Sequence, residues 1–128
     1  MVGDESWTNY AVEVDVLTND WNFPVRIIVR AQGRFHMVLQ TNCCGTSWIL
    51  VTNGEERVIA MSGKRGLTGG VVWHTDRLRI EVQGDIYTVY RDEEILLRVQ
   101  DNTLSNGRVG LALDHTKRFD NFQVTELP

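Results

Sequence analysis

Glu13 and Asp15 stand on either side of Val14 in the run Tyr10-Ala11-Val12-Glu13-Val14-Asp15-Val16. Alternate residues of a β-strand share one face, so these two carboxylates are expected side by side. Paired carboxylates hydrolyse glycosidic bonds, and a retaining pair needs its carboxyls about 5–5.5 Å apart in two distinct roles. Acidic residues alternating with valines equally describe the wet face of a half-buried strand. That second reading is adopted: no catalytic residue is assigned, and the chain is expected not to be an enzyme. His36, His74 and His115 are dispersed, so spacing supplies neither a Ser/His/Asp set nor a metal triad.

Two cysteines, Cys43 and Cys44, are adjacent and precede Gly45 between two expected strands. They cannot staple distant parts of the chain, and with no paired histidine nearby they are too few for a structural zinc site. Either they form a vicinal disulfide that stiffens the loop, in some proteins as a ligand platform, or they are two free thiols with one buried. The free-thiol reading is adopted as the simpler.

Binding chemistry is better represented. If Val25, Ile27 and Val29 face a core, then Arg26, Ile28 and Arg30 face outward, beside His36, Val38 and Gln40 of the next strand. Arginine forks and glutamine amides donate to carboxylates or hydroxyls, and aromatic faces stack on sugar rings. Trp21, in the polar stretch Asn19-Asp20-Trp21-Asn22, is the leading aromatic candidate, and Tyr90 suits either a surface or a core. Trp48 and Trp73 lie in apolar patterns and are read as core.

Positive charge is nearly all arginine, with Lys64 and Lys117 the two lysines, and the net charge of −4 with a pI near 5.3 argues against a nucleic-acid partner. No apolar run approaches the roughly 20 residues of a membrane helix. The polar start Met1-Val2-Gly3-Asp4-Glu5 does not read as a signal peptide. It fits either a cytosolic protein or a piece of a longer extracellular or cell-surface polypeptide, and the second is favoured.

The elements that must position these residues are strands. Period-two alternation bounded by turn residues marks Tyr10 to Leu17, Pro24 to Ala31, Phe35 to Gln40, Trp48 to Thr52, Arg57 to Met61, Leu78 to Val82, Ile86 to Tyr90, Ile95 to Val99, Val109 to Leu113 and Phe119 to Leu127. Gln32-Gly33, Asn53-Gly54 and Gly84-Asp85 supply turns, and Ser62 to Gly70 reads as a loop. About ten short strands without a convincing helix predict a single all-β domain over residues 1–128, an antiparallel sandwich or barrel.

Five stretches in order carry a resemblance: Ile28-Val29-Arg30-Ala31 through Phe35-His36-Met37-Val38; Trp73 through Gly84, with Leu78-Arg79-Ile80-Glu81-Val82; Ile86-Tyr87-Thr88-Val89-Tyr90; Asp101 through Leu111, with Gly107-Arg108-Val109-Gly110-Leu111; and Phe119-Asp120-Asn121-Phe122-Gln123-Val124. The chain resembles the concanavalin A-like (laminin G-like) superfamily over roughly residues 7 to 127, near its 3-keto-disaccharide hydrolase-type domains. The resemblance implies a jelly-roll β-sandwich whose sheet bearing Arg26 and His36 is concave. It departs from the pattern in two places. The usual opening strand is missing or reduced to the stub before Trp7, and the turn expected to end in Asn-Gly reads Asp92-Glu93-Glu94, so another turn type is expected there. Sandwich glycosidases of this fold carry a third carboxylate on the strand of Glu13, where this chain has Leu17 and Thr18.

Relatives often bind one calcium near the terminal strand, which would make Asp120 a ligand. Calcium needs six or more oxygens, and the N-terminal loop that supplies several is the part lacking here. Asp120 as a hydrogen-bonding strand-end residue is therefore favoured, and no cofactor is expected. The expected function is noncatalytic carbohydrate binding or adhesion, with Trp21, Arg26, Arg30, His36, Gln40 and Tyr90 as ligand-binding residues. A structural or protein–protein interaction domain is the alternative.

Overall fold

The computed structural model describes residues 2–18, 24–68, 74–112 and 117–128. Ten strands are described: β1 (Tyr10–Thr18), β2 (Val25–Gln32), β3 (Phe35–Thr41), β4 (Thr46–Thr52), β5 (Glu55–Ser62), β6 (His74–Gln83), β7 (Ile86–Arg91), β8 (Glu94–Gln100), β9 (Arg108–Ala112) and β10 (Lys117–Glu126). They form two five-stranded sheets, ordered β10-β1-β6-β7-β8 and β5-β4-β3-β2-β9, in which every pairing between strands is antiparallel. The sandwich arises because strands such as β1, β2 and β6 alternate apolar and polar residues, leaving each sheet one face to bury.

The inner faces meet in one core. Val12, Val14, Val16, Leu78, Ile80, Val82, Tyr87 and Val89 come from the first sheet, and Val25, Ile27, Val29, Met37, Leu39, Trp48 and Leu50 from the second. Trp48 is fully buried, as expected, packed 5.6 Å from the Tyr87 ring with its indole N–H donating to Leu97 O at 3.2 Å. Trp73 lies outside the described residues. Strand β6 begins at His74, ahead of the expected Leu78, because its ladder with β1 runs the whole length from Tyr10↔Val82 to Thr18↔His74. Asp76, buried within that extension, is stabilised by accepting from Thr68 N and Thr68 Oγ1.

The turns follow local chemistry, with one surprise. Asn53-Gly54 has φ of 53° and 86°, the paired left-handed geometry of a type I′ hairpin. The turn at Asp92-Glu93 was expected to differ, yet its φ values of 48° and 77° are of the same kind. The Arg91↔Glu94 pairing fixes a two-residue connection, and the ladder imposes the turn on residues that disfavour it. Asp92 compensates by bonding strand β6 twice, its N donating to Arg77 O and its Oδ1 accepting from Arg77 N.

Arg30 corrects a second expectation: it does not face outward. Both ladders of β2 shift register around it, between Val29 and Gln32 against β3 and between Ile28 and Ala31 against β9. With φ of 50° at Arg30, alternation fails and Val29, Arg30 and Ala31 are all buried. Gly107 backs this bulge, and a Cβ there would come within 2.3 Å of the Arg30 carbonyl carbon.

That contact sets a stability prediction. Gly107→Ala must both adopt φ of +146° and displace backbone, so it should cost about 2–4 kcal/mol. Gly84→Ala meets no atom within 4 Å and suffers only its φ of +60°, for about 1 kcal/mol. Urea unfolding of both variants checks the ranking, and equal losses would contradict it.

Candidate functional site

The outward faces of the two sheets differ in kind. On the β10-β1-β6-β7-β8 sheet, Glu13, Arg79 and Tyr90 stand in one row and Asp15 and Arg77 in the next. Arg79 pairs with Glu13 at 3.2 Å and Glu81 at 3.0 Å, and Arg77 pairs with Asp15 at 3.0 Å and Glu13 at 3.7 Å. Tyr90 Oη donates to Glu81 Oε1 at 3.0 Å. Glu13, Arg77, Arg79, Glu81 and Tyr90 line an open hollow of about 450 Å³, but they already satisfy one another. Asp15 also accepts from Asn121 Nδ2, and that bond, with Arg77 beside it, holds its carboxyl below the usual carboxylate range. An acid held ionised in this way is poorly placed to protonate a leaving group near neutral pH.

The β5-β4-β3-β2-β9 sheet presents something else. Ile28, Val38, Ile49 and Val58 fall in one row across β2, β3, β4 and β5. Val38, Ile49 and Val51, with Ile28 against them, make a second small apolar cluster apart from the main core. Val38 is an outward residue, as alternation requires, yet only 2% exposed. The polar residues around it explain why.

Arg26 on β2 and Glu56 on β5 are separated by two strands, and the ladders set Arg26 level with Met61 rather than with Glu56. They nonetheless meet, with Arg26 Nη2 2.6 Å from Glu56 Oε1, and to do so their side chains cross above β3 and β4. Arg26 Nε also donates to Gln40 Oε1 at 2.8 Å. His36 faces Glu56 across Val51. Burial first, and then the Arg26 guanidinium, lower the His36 pKa from its ordinary value, while Glu56 acts in the opposite sense. Arg26 in turn holds the Glu56 carboxyl below the usual range.

An exposed ion pair contributes about 0.2–1 kcal/mol. The Arg26 and Glu56 side chains are 33% and 49% exposed, so the pair adds little to stability. What it does is fix a donor fork and a carboxylate above an apolar floor. Beyond Gln40 the face runs into a hollow of about 250 Å³ lined by Gln40, Asn42, Cys44 and Ser47. Here the free-thiol expectation is corrected, because Cys43 and Cys44 are joined by a vicinal disulfide.

The structure thus brings together three of the sequence-derived ligand candidates, Arg26, His36 and Gln40, and separates the others. Arg30 is only 1% exposed and its guanidinium donates inward, to Thr8 O, Leu104 O and Tyr87 Oη. Tyr90 belongs to the opposite face, and Trp21 lies outside the described residues. Glu56 was missed. It falls in a strand whose exposed end looked like ordinary solvated surface, and no local signal pairs it with Arg26, 30 positions earlier. Asp120 accepts from Asn121 N at 2.8 Å, and among the described residues no cluster of three or more His, Cys, Asp or Glu side chains could hold a metal.

No family model matches the chain, and no curated protein sequence matches it. Solved structures do. A carbohydrate-binding module, CBM66 from Bacillus subtilis, superposes with a TM-score of 0.79 at 19% identity, covering 93% of this chain and 76% of that one. Galectin LEC-6 of Caenorhabditis elegans gives a TM-score of 0.77 at 8% identity over 98% of this chain and 89% of that one. Chicken galectin 2 gives 0.73 at 8% identity over 93% and 92%. At these identities the likeness concerns the fold, a jelly-roll β-sandwich of the concanavalin A-like kind.

The linkage within the cluster can be read from His36. Its folded pKa lies below the unfolded value near 6.5, so the unfolded chain takes up the proton first, and His36 contributes a loss of stability as pH falls through that value. An NMR titration should find its midpoint below that of a free imidazole. Arg26→Gln should raise it and Glu56→Gln should lower it further. Midpoints indifferent to both substitutions would mean that the three groups do not share a field.

Proposed function

We propose that this chain is a noncatalytic carbohydrate-binding module whose ligand lies on the outward face of the β5-β4-β3-β2-β9 sheet. The observation that carries the reading is the apolar floor of Ile28, Val38 and Ile49 overlaid by Arg26, Glu56, Gln40 and His36. A sugar ring is amphipathic in the matching way, with C–H groups on its faces and hydroxyls, each donor and acceptor, at its edge. Arg26 and Gln40 offer N–H donors, Glu56 accepts, and the His36 imidazole makes no hydrogen bond to a described residue. The fold shared with a carbohydrate-binding module and with galectins supports the same reading. The opposite face fits it less well, since its outward rows carry linked carboxylates and guanidiniums, whereas the apolar cluster of Val38, Ile49 and Val51 lies on this face.

Work outside the cell or at its surface, as part of a longer polypeptide, accompanies this reading. A disulfide such as Cys43–Cys44 persists in oxidising compartments, which supports it. A protein partner is the second reading, favoured by Val58 and Met61, 51% and 72% exposed on the edge strand β5, where a partner strand could add.

A glycan array probed with the wild-type chain, followed by calorimetry on its best ligand, tests the proposal. Arg26→Ala and His36→Ala should each weaken binding by about tenfold or more, or about 1.4 kcal/mol, while Arg77→Ala on the other face should leave it within a factor of about two. Binding to no glycan, or a loss caused by Arg77→Ala alone, would overturn it.

A further inference from the structure

The Cys43–Cys44 disulfide has no evident stabilising role. A cross-link stabilises chiefly by restricting the unfolded chain over the loop it closes, and this one joins neighbouring residues. Its turn is already held by other bonds. Asn42 N and Thr41 Oγ1 both donate to Gly45 O, Cys44 N donates to Asn42 Oδ1, and Gly66 N and Leu67 N donate to Asn42 O. Arg65 Nε donates to Cys43 O.

What the disulfide supplies is a surface. Cys43 is 7% exposed and anchors the ring, whereas Cys44 is exposed on the rim of the hollow it shares with Gln40, Asn42 and Ser47. Gln40 and Ser47 are directly paired outward residues of β3 and β4, and Gln40 is bonded to Arg26. The hollow therefore continues the polar ring rather than forming a separate site. A disulfide locked to adjacent backbone has no rotamers to lose on binding, and its sulfurs are soft and polarizable.

We propose that the Cys43–Cys44 disulfide is a specificity-determining wall of the glycan site, packing against the C–H face of a further sugar residue so that the site reads an oligosaccharide rather than a single ring. This rests on the carbohydrate-binding reading above. Reduction would replace the rigid wall with two rotatable thiols and remove that contact.

The test compares disaccharides with pentasaccharides from a panel of neutral cello-, xylo-, manno-, galacto- and fructo-oligosaccharides. Calorimetry would be run on the wild type, on the wild type reduced by a phosphine, and on the Cys43→Ser, Cys44→Ser double variant. The pentasaccharide of the series that binds should lose about tenfold or more in affinity on reduction or substitution, with the disaccharide within about twofold. Circular dichroism of the reduced wild type shows that the sandwich is intact, which keeps the test sound if the double variant fails to fold. Equal losses at both lengths, or none at either, would overturn the inference and leave the carbohydrate reading standing. A wild type that binds no member at either length, nor any glycan on the array, would overturn both.

Discussion

Among the described residues one cation, Arg30, is buried, and it ties strand β2 to the opposite sheet. Arg30 lies in the interior with no carboxylate partner among the described residues, and its Nε makes no hydrogen bond at all. Burying a charge this way is expensive unless acceptors surround it. The acceptors here come from three directions: Thr8 O ahead of β1, Leu104 O in the loop before β9, and Tyr87 Oη on the opposite sheet, whose ring also lies 5.2 Å below the guanidinium carbon. Neither neighbouring phenol offers a negative charge, because burial raises the pKa of both, that of Tyr10 to about 12. The guanidinium thus depends on carbonyls that only the finished fold assembles, and the segments carrying them depend on it. Trp7 O accepting from Gly107 N closes the same circle.

The bulge that turns Arg30 inward also bounds the candidate site. Arg26 and Ile28 keep the outward alternation of β2, and one step later the strand withdraws its next large side chain into the core. The outward face is therefore organised from Arg26 toward β5, the direction in which its guanidinium reaches Glu56. Strand pairing brings these residues together, and no loop is needed to do so.

Much of this was legible in the sequence. Strict alternation in Tyr10 to Leu17 and Pro24 to Ala31 gave strands, faces and core, and Asn53-Gly54 gave its hairpin, because each depends on neighbours along the chain. Three features depend on how the strands pair. Arg30 reads as an outward residue until β3 and β9 both shift register against it. Asp92-Glu93 adopts left-handed geometry because β7 and β8 require it. Glu56 becomes a candidate only once β4 and β3 set it in the row of His36, from which its carboxylate meets Arg26 diagonally. Arg26, His36 and Gln40 were recoverable because period-two alternation alone puts them on one face.

The Arg26–Glu56 pair also bears on what the face can accept. At about 1 kcal/mol or less the pair is easily shared with a ligand, but sharing differs with ligand charge. An anion that takes Arg26 leaves the Glu56 carboxylate facing it, and a cation that takes Glu56 meets the guanidinium. A neutral polyol avoids both conflicts, since a hydroxyl can accept from Arg26 and donate to Glu56 at once. On the proposed reading the arrangement would discriminate by charge before shape, because two side chains reach across two intervening strands to meet.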